Sequence, residues 1–312
     1  MSHYLVTGGA GFIGSHIVDA LVARGEQVTV LDDFSSGRRD NLAAVLDRIA
    51  LIEGDTRDLS TVARAMQGVQ FVLHQAALRS VPKSLKHPAE YHAVNVTGTL
   101  NILLAARDAG VRRVVLASSS SIYGESQQLP QREDQPVMPV SPYAVTKLMG
   151  EQYCQLFAKA YGLETVSLRY FNVFGPRQSL ENEYAVVIPR FIVSLLKGES
   201  PPIHGDGRQS RDFTYIDNVV AANLLACQAT GASGQVFNVA CGEHYSVLDL
   251  FHAVQQLLNV SLPPNHTPTR PGDVRHTCAD ISRTQHVLGY RVQQDFTEGL
   301  QRTTAWFKTH AA

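Results

Sequence analysis

Short apolar runs alternate along this chain with stretches whose apolar residues recur at helical spacing. The apolar runs read YLV, VTVL, IALIEGD, FVLHQAA, RRVVLASS, TVSLRYF and QVFNVAC, and the helical stretches include 89–109 and the segment that begins near Pro142. Parallel strands that are covered by helices on both faces are apolar throughout rather than alternating. The pattern therefore predicts an α/β fold with a doubly wound parallel sheet.

A glycine-rich turn, TGGAGFIG, follows the first apolar run, and the next ten residues have the spacing of an amphipathic helix. The glycines at 8, 11 and 14 would allow a tight turn, a close approach of backbone N–H groups to a pyrophosphate, and close packing of helix on strand. The N-terminus of the helix would attract the anion. Glycines also occur in turns that bind nothing. The residues of the next strand therefore decide whether this is a dinucleotide-binding turn or an ordinary tight turn.

The second apolar run leads into Asp32, about 20 residues after the glycines, where a carboxylate can accept hydrogen bonds from ribose hydroxyls. A carboxylate at this point would repel a 2′-phosphate, so the sequence favours NAD over NADP. Arg38 and Arg39 lie nearby and keep an NADP alternative open. The structural alternative for Asp32 is an ordinary turn residue at the end of a strand.

The alternation of strands and helices loosens after residue 175. We expect residues 1–175 to form a Rossmann-type nucleotide-binding domain, to which 213–242 return, and residues 176–312 to form a smaller C-terminal substrate-binding lobe. A chain of 312 residues is long enough for a full core and such a lobe. In open parallel sheets, ligands bind outside the carboxyl ends of the strands. The polar residues Asp55, Gln75, Ser118 to Ser121 and Asn172 follow predicted strands there.

Composition excludes several other classes of function. The net charge is −1 and the pI is about 6.9, so no broad basic surface is expected for nucleic acid or an anionic membrane. The four cysteines lack the spacing of a metal site and no HExxH occurs, which predicts free thiols and no metal. No signal peptide and no apolar run of membrane-spanning length is evident, so we expect a cytoplasmic protein.

Tyr143 and Lys147 lie one helical turn apart in SPYAVTKLMGEQY. A free tyrosine has a pKa of about 10 and is protonated at neutral pH. A lysine cation beside the phenol, together with a positive nicotinamide, would lower that pKa and make Tyr143 a usable base. Lys147 could also hold the nicotinamide ribose. Such pairs are common on exposed helices, but the glycine turn and the serines at 118–121 favour catalysis.

Together TGGAGFIG, Ala76 with Ala77, the serines before Tyr123, and Tyr143 with Lys147 resemble the extended short-chain dehydrogenase/reductase family. Within this family the chain most resembles the nucleotide-sugar 4-epimerases that act on UDP-glucose and UDP-N-acetylglucosamine. The resemblance covers nearly the whole chain, through LRYFNVFGPRQ, EYAVVIPRF, GDGRQSRDFTYIDNV and RPGDVRHTCADIS.

The resemblance implies a catalytic set of Ser119, Tyr143 and Lys147, in which Ser119 connects the sugar hydroxyl to the phenol. It also implies NAD as the cofactor. The cofactor-binding residues that it implies are Gly8, Gly11, Phe12, Ile13, Gly14, Asp32, Ser36, Gly37, Asp55, Thr56, Gln75, Ala76, Ala77, Tyr143, Lys147 and Tyr170.

A UDP-sugar is the substrate that the resemblance implies, with Arg211 and Arg270 at the diphosphate and Asp273 at the uridine ribose. Val187 and Ile203 would line the uracil slot, although lone apolar residues can equally belong to the core. The full implied substrate set is Arg79, Ser80, Ser120, Ser121, Asn172, Val186, Val187, Ile203, Arg211, Arg270, Asp273 and Thr277.

The implied reaction is reversible epimerisation at C4 through a 4-keto intermediate. Similar 4,6-dehydratases carry an acid pair where this chain has Ser120 and Ser121, and similar uridine-sugar decarboxylases carry glutamate in place of Ser121. Dehydration and decarboxylation are therefore disfavoured. The alternatives are a UDP-glucuronate 4-epimerase, another NAD-dependent nucleotide-sugar enzyme, or a nucleotide-binding sensor without activity, against which the intact catalytic set argues.

Two residues bear on the choice of sugar. Thr277 replaces the bulky tyrosine of epimerases restricted to plain hexoses, which implies room for an N-acetyl group. Arg79 stands where N-acetyl-specific relatives have glycine. It would narrow the pocket, pair with a uronate carboxylate, or lie on the surface.

The resemblance further implies a homodimer that pairs two helices with their copies. The helices are the one covering 93–109 and the one after Pro142. Their apolar residues Leu100, Leu103, Leu148, Tyr153 and Leu156 are the expected contacts, unless all of them pack on the sheet.

Overall fold

Seven parallel strands form the central sheet in the computed structural model, which describes residues 1–126, 128–180, 187–269 and 274–310. The predicted doubly wound α/β fold is confirmed, and each predicted apolar run covers a strand. From one edge to the other the strands are β11 (Gln235–Val239), β6 (Glu164–Tyr170), β5 (Arg113–Ser119), β4 (Phe71–His74), β1 (His3–Thr7), β2 (Gln27–Asp32) and β3 (Ala50–Glu53).

Helices connect these strands, and the described chain has two further kinds of short helical segment. The segments Arg39–Arg48 and Ser120–Tyr123 are 3₁₀ helices, and Ala93–Thr97 is a π-helical turn. The α-helices are α1 (Phe12–Ala23), α2 (Leu59–Ala65), α3 (Val81–Lys86), α4 (Pro88–His92), α5 (Gly98–Asp108), α6 (Pro142–Tyr161), α7 (Val187–Leu196), α8 (Ile216–Gln228), α9 (Val247–Leu258), α10 (Ser282–Leu288) and α11 (Phe296–His310).

Both faces of the sheet are covered, because successive side chains of a strand point to opposite faces. Leu5 of β1 and Leu31 of β2 pack in one core, which includes residues of α2, α5 and α6. Val6 and Val30, their neighbours in the chain, pack in the other core, with residues of α1 and α8. The near-continuous apolar runs in the sequence follow from this double coverage.

The larger core continues into the C-terminal part of the chain, where Phe191, Phe251 and Phe307 are buried in it. These residues lie on α7, α9 and α11, which pack against one another. Three small two-stranded pairings lie outside the central sheet: β10 (Thr214–Tyr215) with β7 (Val173–Phe174), β12 (Tyr245–Ser246) with β9 (Ser210–Arg211), and β13 (Asn265–Thr267) with β8 (Pro202–His204).

The start of α6 determines where two of the predicted catalytic residues lie. Ser141 caps the helix by accepting a hydrogen bond from the backbone N–H of Ala144 at 3.2 Å, and Pro142 occupies the first position of the helix. Tyr143 and Lys147 therefore lie one turn apart, beside the carboxyl ends of β4 and β5. The helix ends at Gly162, whose φ of +71° suits glycine.

Candidate active site

The glycine turn after β1 brings two backbone segments closer than side chains would allow. A Cβ atom on Gly14 would lie 2.1 Å from the carbonyl oxygen of Gly8, and one on Gly8 would lie 2.7 Å from the backbone nitrogen of Ala76. Gly8 also has a φ of +67°. The turn therefore requires glycine for packing, and it places the N-terminus of α1 at the carboxyl end of the sheet, where an anion would be bound.

Asp32 ends β2 next to this turn and is buried. Its carboxylate accepts hydrogen bonds from the backbone N–H groups of Ala10 and Phe34, both at 2.8 Å. Burial raises the pKa of Asp32, and the two hydrogen bonds oppose that rise. A Cβ on Gly37 would lie 2.7 Å from a carboxylate oxygen of Asp32, so glycine is needed here as well. The carboxylate is held in one orientation beside the glycine turn.

One cavity at the carboxyl ends of the strands joins the glycine turn to the start of α6. The predicted residues that line it are Gly8, Gly11, Phe12, Ile13, Gly14, Asp32, Ser36, Gly37, Thr56, Gln75, Ala76, Ala77, Arg79, Tyr143, Lys147 and Tyr170. Ser118, one of the polar residues expected at a strand end, lines it as well, and the lining residues that the sequence did not indicate are Leu31, Asp33, Ser35, Gly54, Arg57, Leu78, Glu90, Val94 and Ala117. Asp55 does not line it. Its carboxylate instead accepts a hydrogen bond from Nε of Arg57 at 2.8 Å, and this pairing lowers the pKa of Asp55.

Tyr143 and Lys147 line one end of the cavity, and Ser119 follows Ser118, which also lines it. The Oγ of Ser119 accepts from the backbone N–H of Ser121 at 3.2 Å, and Ser119 lies near enough to Tyr143 to oppose the rise in the pKa of the phenol. Lys147 is buried, and its Nζ donates to the carbonyl oxygen of Ala117 at 2.8 Å. Burial lowers the pKa of Lys147 from 10.5 to about 8. Proton transfer between a hydroxyl and the phenol is possible in this arrangement.

The electrostatics of Tyr143 differ from the expectation that Lys147 lowers its pKa. Burial raises the pKa of Tyr143, and the two groups that oppose the rise are Ser119 and Arg79. The Nζ of Lys147 lies 6.0 Å from the centroid of the tyrosine ring and is directed to Ala117. Desolvation also disfavours the lysine cation itself.

A buried asparagine, which sequence reasoning missed, connects the two walls of the cavity. Asn95 lies in the π-helical turn, accepts from the backbone N–H of Leu78 at 2.8 Å and donates to the carbonyl oxygen of Leu78 at 2.9 Å. It also donates to Oγ1 of Thr146 at 3.0 Å, which in turn donates to the carbonyl oxygen of Tyr143 at 2.8 Å. An asparagine within an apolar helical stretch was the available signal. The π-turn interrupts the single helix expected over 89–109, as is frequent at functional sites.

Gln75 and Tyr170, two of the predicted cofactor residues, are linked to each other. The Tyr170 hydroxyl lies 3.1 Å from the Gln75 side-chain oxygen, and both residues contact the side chain of Asn223 on α8. Asn223 is buried and is fixed by a hydrogen bond to the carbonyl oxygen of Val219. It is a further positioning residue that no sequence motif indicated.

Two of the predicted substrate residues, Asn172 and Thr277, are in contact, and a third, Arg211, lies next to the strand residue that binds Thr277. Asn172 has an unusual φ of +29°, and its Nδ2 lies 3.3 Å from the carbonyl oxygen of Asp212 and 3.4 Å from Oγ1 of Thr277. Arg211 follows Ser210 in β9, and the backbone N–H of Thr277 donates to the carbonyl oxygen of Ser210 at 3.1 Å. A non-glycine residue with positive φ is costly, and such residues cluster at binding sites.

Asp212 holds this region together. Its buried carboxylate accepts hydrogen bonds from the backbone N–H groups of Cys241, Gly242 and Ala279 at 2.9 to 3.1 Å. Burial raises the pKa of Asp212 to about 6, against the effect of the three donors. The carboxylate thereby joins the segment after β11 to the segment that carries Thr277.

The remaining predicted substrate residues have varied positions. Ser80 is buried, and its hydroxyl caps α3 by accepting from the backbone N–H of Lys83. Ser120 and Ser121 are half-buried in the 3₁₀ turn after β5. Val187 is half-buried at the start of α7. Ile203 is fully buried in the larger core, so it is a core residue, which was the alternative to a place in the uracil slot. Val186, Arg270 and Asp273 lie outside the described residues.

The described residues contain neither a cluster of metal ligands nor a helix that could span a membrane. No group of three or more potential metal ligands lies close enough together to hold an ion. Within the same part of the chain, no helix has the length and apolar character needed to cross a membrane.

The fold and the site define an NAD-binding α/β protein with the serine, tyrosine and lysine of a short-chain dehydrogenase/reductase. The model of the NAD-dependent epimerase/dehydratase family matches residues 4–240. The chain belongs to this family.

Individual relatives are similar over almost the whole chain. The UDP-glucose 4-epimerase of Mycolicibacterium smegmatis is 40% identical over 308 residues, which cover 97% of this chain and 98% of the relative. The structure of a UDP-N-acetylglucosamine 4-epimerase from Methanobrevibacter ruminantium, in complex with UDP-N-acetylmuramic acid, has 39% identity and a TM-score of 0.95, with 99% of each chain covered. UDP-glucuronate 4-epimerase 2 of Arabidopsis thaliana is 34% identical, and the match covers 97% of this chain and 75% of the relative.

Proposed function

We propose that this chain is an NAD-dependent UDP-hexose 4-epimerase, which interconverts UDP-glucose with UDP-galactose and UDP-N-acetylglucosamine with UDP-N-acetylgalactosamine. The observation that carries the proposal is that Tyr143 and Lys147 line the cavity that begins at the glycine turn, with Ser119 beside Tyr143. The similarity to 4-epimerases over almost the whole chain supports the reaction class.

The residues of the cavity fit NAD. The glycines at 8, 11 and 14 line the cavity in a turn too tight for a Cβ, and Asp32 presents a fixed carboxylate where an adenosine ribose would lie. When bound, NAD would supply reversible hydride transfer at C4 of the sugar. Denaturing the purified protein should release NAD(H). Release of NADP alone, or consumption of external NAD during turnover, would contradict an epimerase.

The chain's own residues supply the proton chemistry. Tyr143 as phenolate takes the proton of the C4 hydroxyl and later returns it, and Ser119 bridges the two oxygens. Lys147, held by Ala117, supplies a cation near the cofactor side of the cavity. Ser120 and Ser121 offer hydroxyls in the 3₁₀ turn where dehydration would need an acid pair, so the chemistry ends at reversible oxidation.

Substrate binding is assigned to a second set of residues. We assign Asn172, Arg211 and Thr277 to the diphosphate and sugar, because Asn172 contacts Thr277 and Thr277 is hydrogen-bonded to Ser210, the residue before Arg211. Arg270 and Asp273 are proposed to complete the diphosphate and ribose contacts, and Val186 with Val187 the uracil slot.

The test is to incubate the purified protein separately with UDP-glucose, UDP-N-acetylglucosamine and UDP-glucuronate, and then to resolve the epimers. Conversion of the first two is expected. Conversion of UDP-glucuronate alone would support the alternative of a uronate 4-epimerase, for which Arg79 in the cavity is the specific observation. No conversion of any sugar, with NAD bound, would support a nucleotide-binding sensor.

A cytoplasmic homodimer is the proposed state of the enzyme. The cysteines at 154, 227, 241 and 278 are all free thiols, which suits a reducing compartment. On α6, Leu156 is 50% exposed, and Leu148 and Tyr153 are half-buried, as is Leu100 on α5. Leu103 is fully buried in the smaller core, so it is a core residue rather than the interface contact that its sequence suggested.

A further inference from the structure

Arg79 lies in the loop after β4 and lines the same cavity as Tyr143 and Lys147. More than a third of its surface is exposed, although the protein around it desolvates the guanidinium enough to lower its pKa. Among the described residues, Arg79 forms no ion pair with a carboxylate, even though Glu90 lines the same cavity. The charge with which Arg79 interacts favourably is that of Tyr143.

Hydrogen bonds fix the backbone on both sides of Arg79 to the frame that also holds Tyr143. Leu78 is bound through both its N–H and its carbonyl oxygen to Asn95, and the backbone N–H of Ser80 donates to the Tyr91 hydroxyl at 3.0 Å. Asn95 reaches Tyr143 through Thr146. The backbone segments that carry Arg79 and Tyr143 are therefore tied to each other through Asn95.

We propose that Arg79 is a positioning residue for proton transfer, whose guanidinium stabilises the phenolate of Tyr143. The proposal rests on the proposed function, because it assigns a role within the same proton transfer. It differs from the three interpretations open at the sequence level, which were a narrower pocket, a uronate ligand and a surface position.

The groups around Tyr143 support this role. Burial raises the pKa of the phenol, and Tyr91 on α4 raises it further. Ser119 at the end of β5 and Arg79 oppose the rise. Lys147, on the same helix as Tyr143, is directed to the carbonyl oxygen of Ala117. Arg79, which lines the same cavity as Tyr143, thus adds a positive charge that favours the ionised phenol, because an opposite charge nearby lowers the pKa of an acid.

The first experiment measures kcat against pH for wild type, Arg79→Met and Arg79→Lys. Because Tyr143 must be ionised to act as a base, Arg79→Met should move the acid limb of the profile to higher pH. At pH values below the pKa of Tyr143, kcat of Arg79→Met should be lower than that of wild type by about tenfold for each pH unit of the shift. At pH values where Tyr143 is ionised in both proteins, the two values of kcat should be equal. Arg79→Lys should restore most of the wild-type profile. Lys83→Met, which removes an exposed cation on α3, should leave it unchanged.

The second experiment needs no turnover. The ultraviolet absorbance of tyrosinate is titrated in the NAD-bound protein, and the trace of Tyr143→Phe is subtracted to isolate Tyr143 among the 11 tyrosines. Arg79→Met should raise the pH at which Tyr143 ionises. This result is independent of which sugar is converted, so failure of the epimerase assignment and failure of the Arg79 role are distinguishable. An unmoved ionisation, or a loss confined to the KM for UDP-glucuronate, would overturn the proposal.

Discussion

At the scale of single residues, the proton chemistry depends on whether the oxygen of Tyr143 can change its charge. Tyr143→Phe keeps the ring and removes that oxygen, so kcat should fall by a factor of about 10²–10⁴, as is typical of general acid–base catalysis. Circular dichroism should show an unchanged fold. Tyr161→Phe, at an exposed position of the same helix, is the matched control. Near-normal activity of Tyr143→Phe would remove the residue from the mechanism.

The charge of Lys147 gives a separate prediction at high pH. Because burial lowers its pKa from 10.5 to about 8, the cation is lost as pH rises past about 8, and kcat should fall there. Stability should move the other way. Between about pH 8 and 10.5 the unfolded state binds more protons than the folded state, so the contribution of Lys147 to the free energy of unfolding rises with pH.

The measurement compares wild type with Lys147→Met by denaturant unfolding across this window. The difference in the free energy of unfolding should shift in favour of wild type as pH rises, while wild-type kcat declines. If kcat and the difference in the free energy of unfolding between wild type and Lys147→Met both declined as pH rises, high pH would act by unfolding the protein rather than by removing the charge of Lys147.

The choice of sugar should depend on the volume of residue 277. Thr277 lies against Asn172, and Thr277→Tyr would fill the space needed by an N-acetyl group with an overpacking cost of about 1–3 kcal/mol. That cost corresponds to about a tenfold to hundredfold loss of rate with UDP-N-acetylglucosamine. UDP-glucose turnover by the same variant is the internal control. Equal losses with both sugars would place the selective position elsewhere.

At the scale of helices and strands, the π-helical turn Ala93–Thr97 joins two walls of the cavity through the side chain of Asn95. Asn95→Ala would leave the N–H and carbonyl groups of Leu78 without their side-chain partner, at a cost of about 1–3 kcal/mol in the free energy of unfolding. Because Asn95 also reaches the first turn of α6 through Thr146, kcat should fall as well. Urea unfolding and steady-state kinetics measure the two effects. Lost stability with unchanged kcat would limit Asn95 to a structural role.

Local patterns and long-range contacts were not equally predictable from the sequence. Strands, the glycine turn and Asp32 could be predicted, because a buried parallel strand and a tight turn restrict residue type locally. The π-turn and the contacts of Asn95 and Asn223 could not, because their partners lie far away in the chain. The electrostatics of Tyr143 also escaped prediction. The helical spacing shows that Lys147 lies near Tyr143. It does not show that burial lowers the pKa of Lys147 or that its ammonium group donates to the carbonyl oxygen of Ala117.

At the scale of the whole molecule, the remaining question is what covers the outer faces of α5 and α6. Leu156 is 50% exposed on α6, and half-buried Tyr153 and Leu100 lie on the same two helices. Isolated exposed leucines are ordinary on a protein surface. In a two-fold symmetric dimer, however, the same patch on each subunit packs against its copy, so a few apolar residues on α5 and α6 could form an interface. Sedimentation at micromolar concentration should therefore give about twice the 34.1 kDa mass of one chain.

The decisive variant for this interface is Leu156→Arg, which places a charge in the proposed contact of α6 with its copy. It should sediment as a monomer with its far-ultraviolet circular dichroism unchanged, because Leu156 contributes little to the core. Leu46→Arg is the matched control, since Leu46 is 52% exposed on the 3₁₀ segment Arg39–Arg48. Leu46→Arg should remain dimeric. A wild-type mass near one chain would reject the homodimer, and a dimeric Leu156→Arg would move the interface to another face.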